Sequence, residues 1–131
     1  MNVMFALLDI AILVSLPSIA TKIGALLIRA RVRWSVCFAY GAIAAISAII
    51  WRGFVIPTFG SVPFSVGIVI GPGFHLGFGS WYFSSRAMDE RGKPIGIQGG
   101  LKLMLVFLAL MAAFLFLSSV LSSTLLRMNH R

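Results

Sequence analysis

The chain has 131 residues, of which 60% are hydrophobic and only 11% charged, where soluble domains carry roughly 25% charged residues. A soluble domain this short leaves a large share of its area in water and has no interior big enough for so much apolar surface. Lipid is therefore the solvent for much of the chain, and the formal net charge of +8 is no sign of nucleic acid: the cations sit in short clusters between apolar runs, not on one face of a folded domain.

The first apolar run, residues 3–21, is interrupted by Asp9 and Pro17. As a helix it reaches about 28 Å, close to the hydrocarbon thickness of a bilayer. No lysine or arginine precedes it, so it reads as a retained span rather than a cleaved signal peptide. A loop over residues 22–33 follows, in which Arg29, Arg31 and Arg33 are expected to anchor the chain to lipid headgroups. The alternative for this cluster is a site for anionic heads.

The second run, residues 34–51, carries Trp34 and Trp51 at its ends, the residues that prefer the headgroup level. Between them lie Gly41, Ala42, Ala44, Ala45, Ser47 and Ala48, small residues that let helices approach closely. Cys37, the only cysteine, excludes an intramolecular disulfide and a thiolate metal cluster and reads as a small apolar helix residue. The stretch "RGFVIPTFGSVPF" then reads as a short interfacial connection.

The third run, residues 64–85, contains "VGIVIGPGFHLGFGSWYF". Proline removes a backbone donor and crowds the preceding turn, while glycine tolerates the bend. A kink is therefore expected at Gly71, Pro72 and Gly73, on a helix lying inside the bundle where neighbours satisfy the freed groups. The spacings Gly67/Gly71 and Gly73/Gly77 match small-xxx-small helix packing. A phosphate loop is excluded, because no Lys-Ser/Thr occupies the required position and no soluble strand precedes it. Residues 86–100 form a polar loop. The last run, residues 101–126, ends in "SSVLSSTLL", and the tail "RMNHR" is expected in water.

Charge placement tests the crossing number. With four spans, one side carries Arg29, Arg31, Arg33, Arg86, Arg91, Lys93 and Lys102, and the other Arg52, Arg127 and Arg131, leaving Lys22 uncounted. Seven against three is a positive-inside bias, and a re-entrant turn at Gly71-Pro72-Gly73 would abolish it. The expectation is one all-α domain over residues 1–131: a polytopic bundle of four transmembrane helices with loops 22–33 and 86–100 cytoplasmic. Both termini lie on the non-cytoplasmic side, in a bacterial inner membrane.

Candidate chemistry is sparse. Asp9 reads first as a structural partner of Arg52 or a carboxylate kept wet near the interface, and second as a protonatable or cation-binding group. His75, with Ser15 at similar depth, reads first as a satisfied buried histidine and second as a proton relay. Ser118/Ser122 and Ser119/Ser123 pair at helical spacing, either bonded back to their own turn or lining a polar seam in the outer half of the bundle. His130 is in the tail, which leaves no second intramembrane histidine for haem. No HExxH, GxSxG or CxxC motif is present, so no enzyme, metal or cofactor is expected. The expected function is binding of another membrane component, as an accessory subunit or an immunity-type protein, or through a homo-oligomer. The alternative is an oligomeric transporter or channel subunit using an intramembrane carboxylate.

Overall fold

The computed structural model describes residues 3–60 and 63–129. Ser61, and His130 and Arg131 of the tail, lie outside the described residues. Among those described, the chain is helical apart from its connections and two isolated bridge pairs.

Helix α1 (Val3–Leu27) ends where Ala30 N–H reaches Ala25 O at 2.8 Å and Arg29 N–H reaches Leu26 O at 3.1 Å. This pair of bonds is a Schellman cap, and it puts Arg29 at φ 58, in the left-handed region glycine normally fills. Helix α2 (Trp34–Ile50) does not stop at Trp51. It passes through a π turn (Trp51–Val55) into α3 (Ile56–Phe59). Pro57 has no N–H to give, and the chain widens just before it, with Ile56 N–H bonding Trp51 O. The expected interfacial connection thus begins as helix and breaks only at Gly60, whose φ of 71 and ψ of −152 favour glycine.

The third run is also helical: α4 (Phe64–Phe74), a π turn (His75–Gly79) and α5 (Ser80–Ser84). The chain does not reverse at Gly71-Pro72-Gly73; Pro72 lies inside α4 and the register widens just after it. Helix α6 (Gly96–Asn129) has 34 residues and a length of about 51 Å. Among the described residues, three helices are long and apolar enough to cross a membrane: Val3–Leu27, Trp34–Thr58 and Gly96–Met128. These make the protein compatible with an integral membrane bundle. The third run is diluted in hydropathy by glycines, Pro72 and His75 and is not one of the three.

The two basic loops meet. Arg31 N–H donates to Met88 O at 2.7 Å and Met88 N–H returns to Arg31 O at 2.9 Å. Ile95 N–H bonds Ala87 O at 3.0 Å, and the Lys22 ammonium donates to Val32 O. Residues 28–33 and 85–95 therefore form one floor at one end of the bundle.

Burial is concentrated at that end. The largest fully buried side chains include Tyr40, Phe83, Phe107, Leu103 and Met104, with Cys37 beside them. Helix α1 packs on α2 and α6, while α5 and the preceding π turn pack on α6. Away from the floor the bundle splays: the first buried residue of α1 is Pro17, and residues 112–128 of α6 are all exposed.

Glycine marks the close approaches. A Cβ on Gly41 would strike Ser18 Oγ and the Val14 carbonyl of α1, and one on Gly100 would strike the Ser80 backbone. One on Gly79 would sit 2.8 Å from Tyr40 Oη. At Gly67, Gly71, Gly73 and Gly77, the four positions with helix-packing spacing, a Cβ meets nothing within 4 Å.

Candidate functional site

The polar centre of the bundle is a pair of side chains from two helices. Tyr40, in the small-residue stretch of α2, projects into the aromatic cluster, where its ring centroid lies 4.9 Å from Phe83, 5.6 Å from Tyr82 and 6.0 Å from Phe107. Its hydroxyl is 2.6 Å from His75 Nδ1 and 3.3 Å from Met104 Sδ. Two arrangements fit this row: the phenol O–H donates to an unprotonated Nδ1, or a protonated Nδ1–H donates to Oη and the phenol O–H donates to the Met104 sulfur. The other imidazole nitrogen makes no hydrogen bond among the described residues.

His75 sits where it does because the π turn starts there. The widened register after Pro72 rotates the following residues, bringing His75, Phe78, Tyr82 and Phe83 round Tyr40. Two cavities flank the histidine. One, of about 360 Å³, lies between α2 and α4 against Ser47, Trp51, Arg52, Gly67 and Gly71. The other, of about 320 Å³, lies at the bundle centre, lined by Leu13, Pro17, Ala45, Pro72 and Phe107 from all four helical runs. Pro17 and Pro72 each deprive their own helix of one donor. Apart from His75 the second cavity has apolar walls, whereas Ser47 and Arg52 make the first one partly polar.

The remaining sequence candidates disperse. Ser15 is half-buried and does not bond His75, whose partner is Tyr40. The buried hydroxyls of α1 are Ser18 and Thr21, which bond Val14 O at 2.6 Å and Pro17 O at 2.7 Å. Asp9 and Arg52 are both exposed, and no ion pair joins them among the described residues. Arg52 instead shares the α2–α4 cavity with His75. Ser118 Oγ bonds Leu115 O at 3.0 Å and Ser122 Oγ bonds Ser118 O at 2.8 Å. Those serines are exposed and satisfied by their own helix, so no enclosed polar seam forms around them. Arg31 and Arg33 line a third cavity at the floor, where Lys22 and Arg86 join them, while Arg29 stands exposed outside it.

Among the described residues no group of three or more His, Cys, Asp or Glu side chains could hold a metal. The residue that sequence reasoning missed is Tyr40. Its signal was a tyrosine six positions inside a span, away from the headgroup level where tyrosine is at home, so its hydroxyl needs a buried partner. No protein-family model, characterised protein or solved structure matches the chain.

Proposed function

We propose that this chain is a small non-catalytic protein of the bacterial inner membrane, crossing four times, that acts by binding another membrane protein as an accessory subunit or immunity-type protein. A single observation carries the reading: away from the floor the described residues leave the bundle loosely packed, and at Gly67, Gly71, Gly73 and Gly77 of the third run an added Cβ meets nothing within 4 Å. Glycine costs a helix about 1 kcal/mol relative to alanine. In spans that cost is ordinarily offset by a neighbour packed close against the glycine face. No described residue of this chain does so at Gly67, Gly71, Gly73 or Gly77, and a helix from a second protein, or from a second copy, supplies such a neighbour.

The reading predicts a partner that purifies with the protein from native membranes in mild detergent. Gly67→Val and Gly71→Val should reduce the recovered partner about tenfold, a loss of roughly 1.4 kcal/mol, while the protein itself remains folded. Recovery of a single monodisperse species with no partner from native membranes would remove the proposal. A transporter built on Asp9 draws no support from the exposed position of that carboxylate, apart from both Arg52 and His75.

The four-crossing arrangement draws support from the bonded floor. Loops 28–33 and 85–95 lie at one end, so the chain between them, which leaves that end along α2, has to come back along α4 and α5. Seven cations are then gathered on that side, with Lys22 reaching the same floor, which orients it to the cytoplasm. Single cysteines, Ser61→Cys and Ser85→Cys in a Cys37→Ala background, test this with an impermeant thiol reagent on intact cells. Position 61 should label at once and position 85 only after lysis. Labelling of both from outside would exclude the fourth crossing.

A further inference from the structure

We propose that the cavity in the floor binds the phosphate headgroup of an anionic phospholipid. It has a volume of about 720 Å³ and is lined by Lys22 from α1, Arg31 and Arg33 from the first loop, and Arg86 from the end of α5, with no aspartate or glutamate in the lining. Two acids share the loop, Asp89 and Glu90, and neither lines the cavity; Asp89 Oδ1 accepts the amides of Arg91 and Lys93, each at 2.9 Å. Four like charges round one cavity repel one another, and an anion between them reverses the sign of that term.

Two of the cations are held in place before any ligand arrives. The Lys22 ammonium bonds Val32 O and lies 5.3 Å from the Trp34 ring centroid. Arg86 donates to Tyr82 O at 3.1 Å, with its guanidinium 4.4 Å from the Tyr82 ring centroid. Two hydrogen bonds to Met88 fix the Arg31 backbone at the rim of the cavity. A topological anchor needs only cations on one side of the membrane. Convergence of cations from three separate parts of the chain on one cavity is a stronger condition, and a phosphate satisfies it.

Phosphate chemistry has two sources, a lipid head or a free anion, and the cavity's apolar wall separates them. Leu26, 66% exposed, and Val36 line the same space beside Trp34, a residue at home at the headgroup level. A free phosphate leaves that wall bare. A phospholipid covers it with glycerol and the top of its acyl chains while the head meets the cations.

The inference does not depend on the partner reading and stands if no protein co-purifies. Its test uses the whole chain carrying Trp51→Phe and Trp81→Phe, so that Trp34 is the only tryptophan and is excited selectively, in vesicles with brominated phosphatidylglycerol or brominated phosphatidylcholine. Phosphatidylglycerol should associate at least about tenfold more strongly. Lys22→Gln, Arg31→Gln and Arg86→Gln should each lower that preference about fivefold. Lys102→Gln removes the same charge from the same side outside the cavity, and should leave the preference unchanged. Equal quenching by the two lipids overturns the proposal, as does an equal loss in Lys102→Gln, which would mean a diffuse surface charge. Displacement of the lipid by millimolar inorganic phosphate, but not by chloride at matched ionic strength, overturns it in favour of a free anion.

Discussion

Gly41→Ala and Gly67→Ala, the same substitution in two helices, should change stability in opposite directions. At Gly41 the new methyl runs into Ser18 Oγ and the Val14 carbonyl. The carbonyl belongs to the α1 backbone and cannot swing aside, so α1 and α2 have to separate along their tightest contact. Overpacking of this kind costs about 1–3 kcal/mol, and the gain in helix propensity, up to about 1 kcal/mol, offsets only part of it. A net loss of about 2 kcal/mol is expected, read as a lower midpoint of thermal unfolding in detergent. Ser18→Ala in the Gly41→Ala background should restore only a fraction, because the Val14 carbonyl stays. At Gly67 the methyl meets nothing within 4 Å, and the propensity gain of up to about 1 kcal/mol stands alone. Equal losses at the two positions would mean that α4 is packed as tightly as α2.

That contrast also locates what the sequence made legible. Apolar runs depend on composition along the chain, and their helical character carried through to the structure, although α1 continues to Leu27 and α6 already begins at Gly96, inside the stretches expected as loops. The runs are helices, and the two basic loops meet at one end. Glycine spacing was a poorer guide, because spacing alone does not say whether a neighbour exists. At the small-xxx-small pairs of the third run an added Cβ meets nothing within 4 Å, while Gly41, in the small-residue stretch of α2, and Gly79 and Gly100 mark the contacts. The pairings proposed for Asp9 with Arg52 and for His75 with Ser15 rested on depth in the bilayer. Depth fixes one coordinate of three. Which faces meet depends on helix rotation, and the π turns at Trp51–Val55 and His75–Gly79 alter that rotation by an amount no periodicity in the sequence records.

Tyr40 is where rotation matters most, and its removal should be the most damaging single change in the chain. Its side chain is fully buried and touches rings from the third run and from α6. Tyr40→Ala leaves a void at the join of three helices, a loss of about 3–5 kcal/mol, enough to unfold a small bundle in detergent. Tyr40→Phe keeps the ring and loses only the hydroxyl, 2.6 Å from His75 Nδ1. Interhelical hydrogen bonds in membranes contribute about 0.6 kcal/mol on average, so a loss of about 1 kcal/mol is expected, from the bond and from the imidazole left without it. His75→Leu should cost a similar amount by stranding the phenol. The double variant Tyr40→Phe/His75→Leu removes both polar groups together, and no orphan remains. Its cost should therefore be no larger than that of either single change, a coupling of about 1 kcal/mol in a double-mutant cycle. Simple addition of the two single losses in unfolding midpoints would show that the hydroxyl and the imidazole act independently, and that the aromatic packing alone holds the third run to α2.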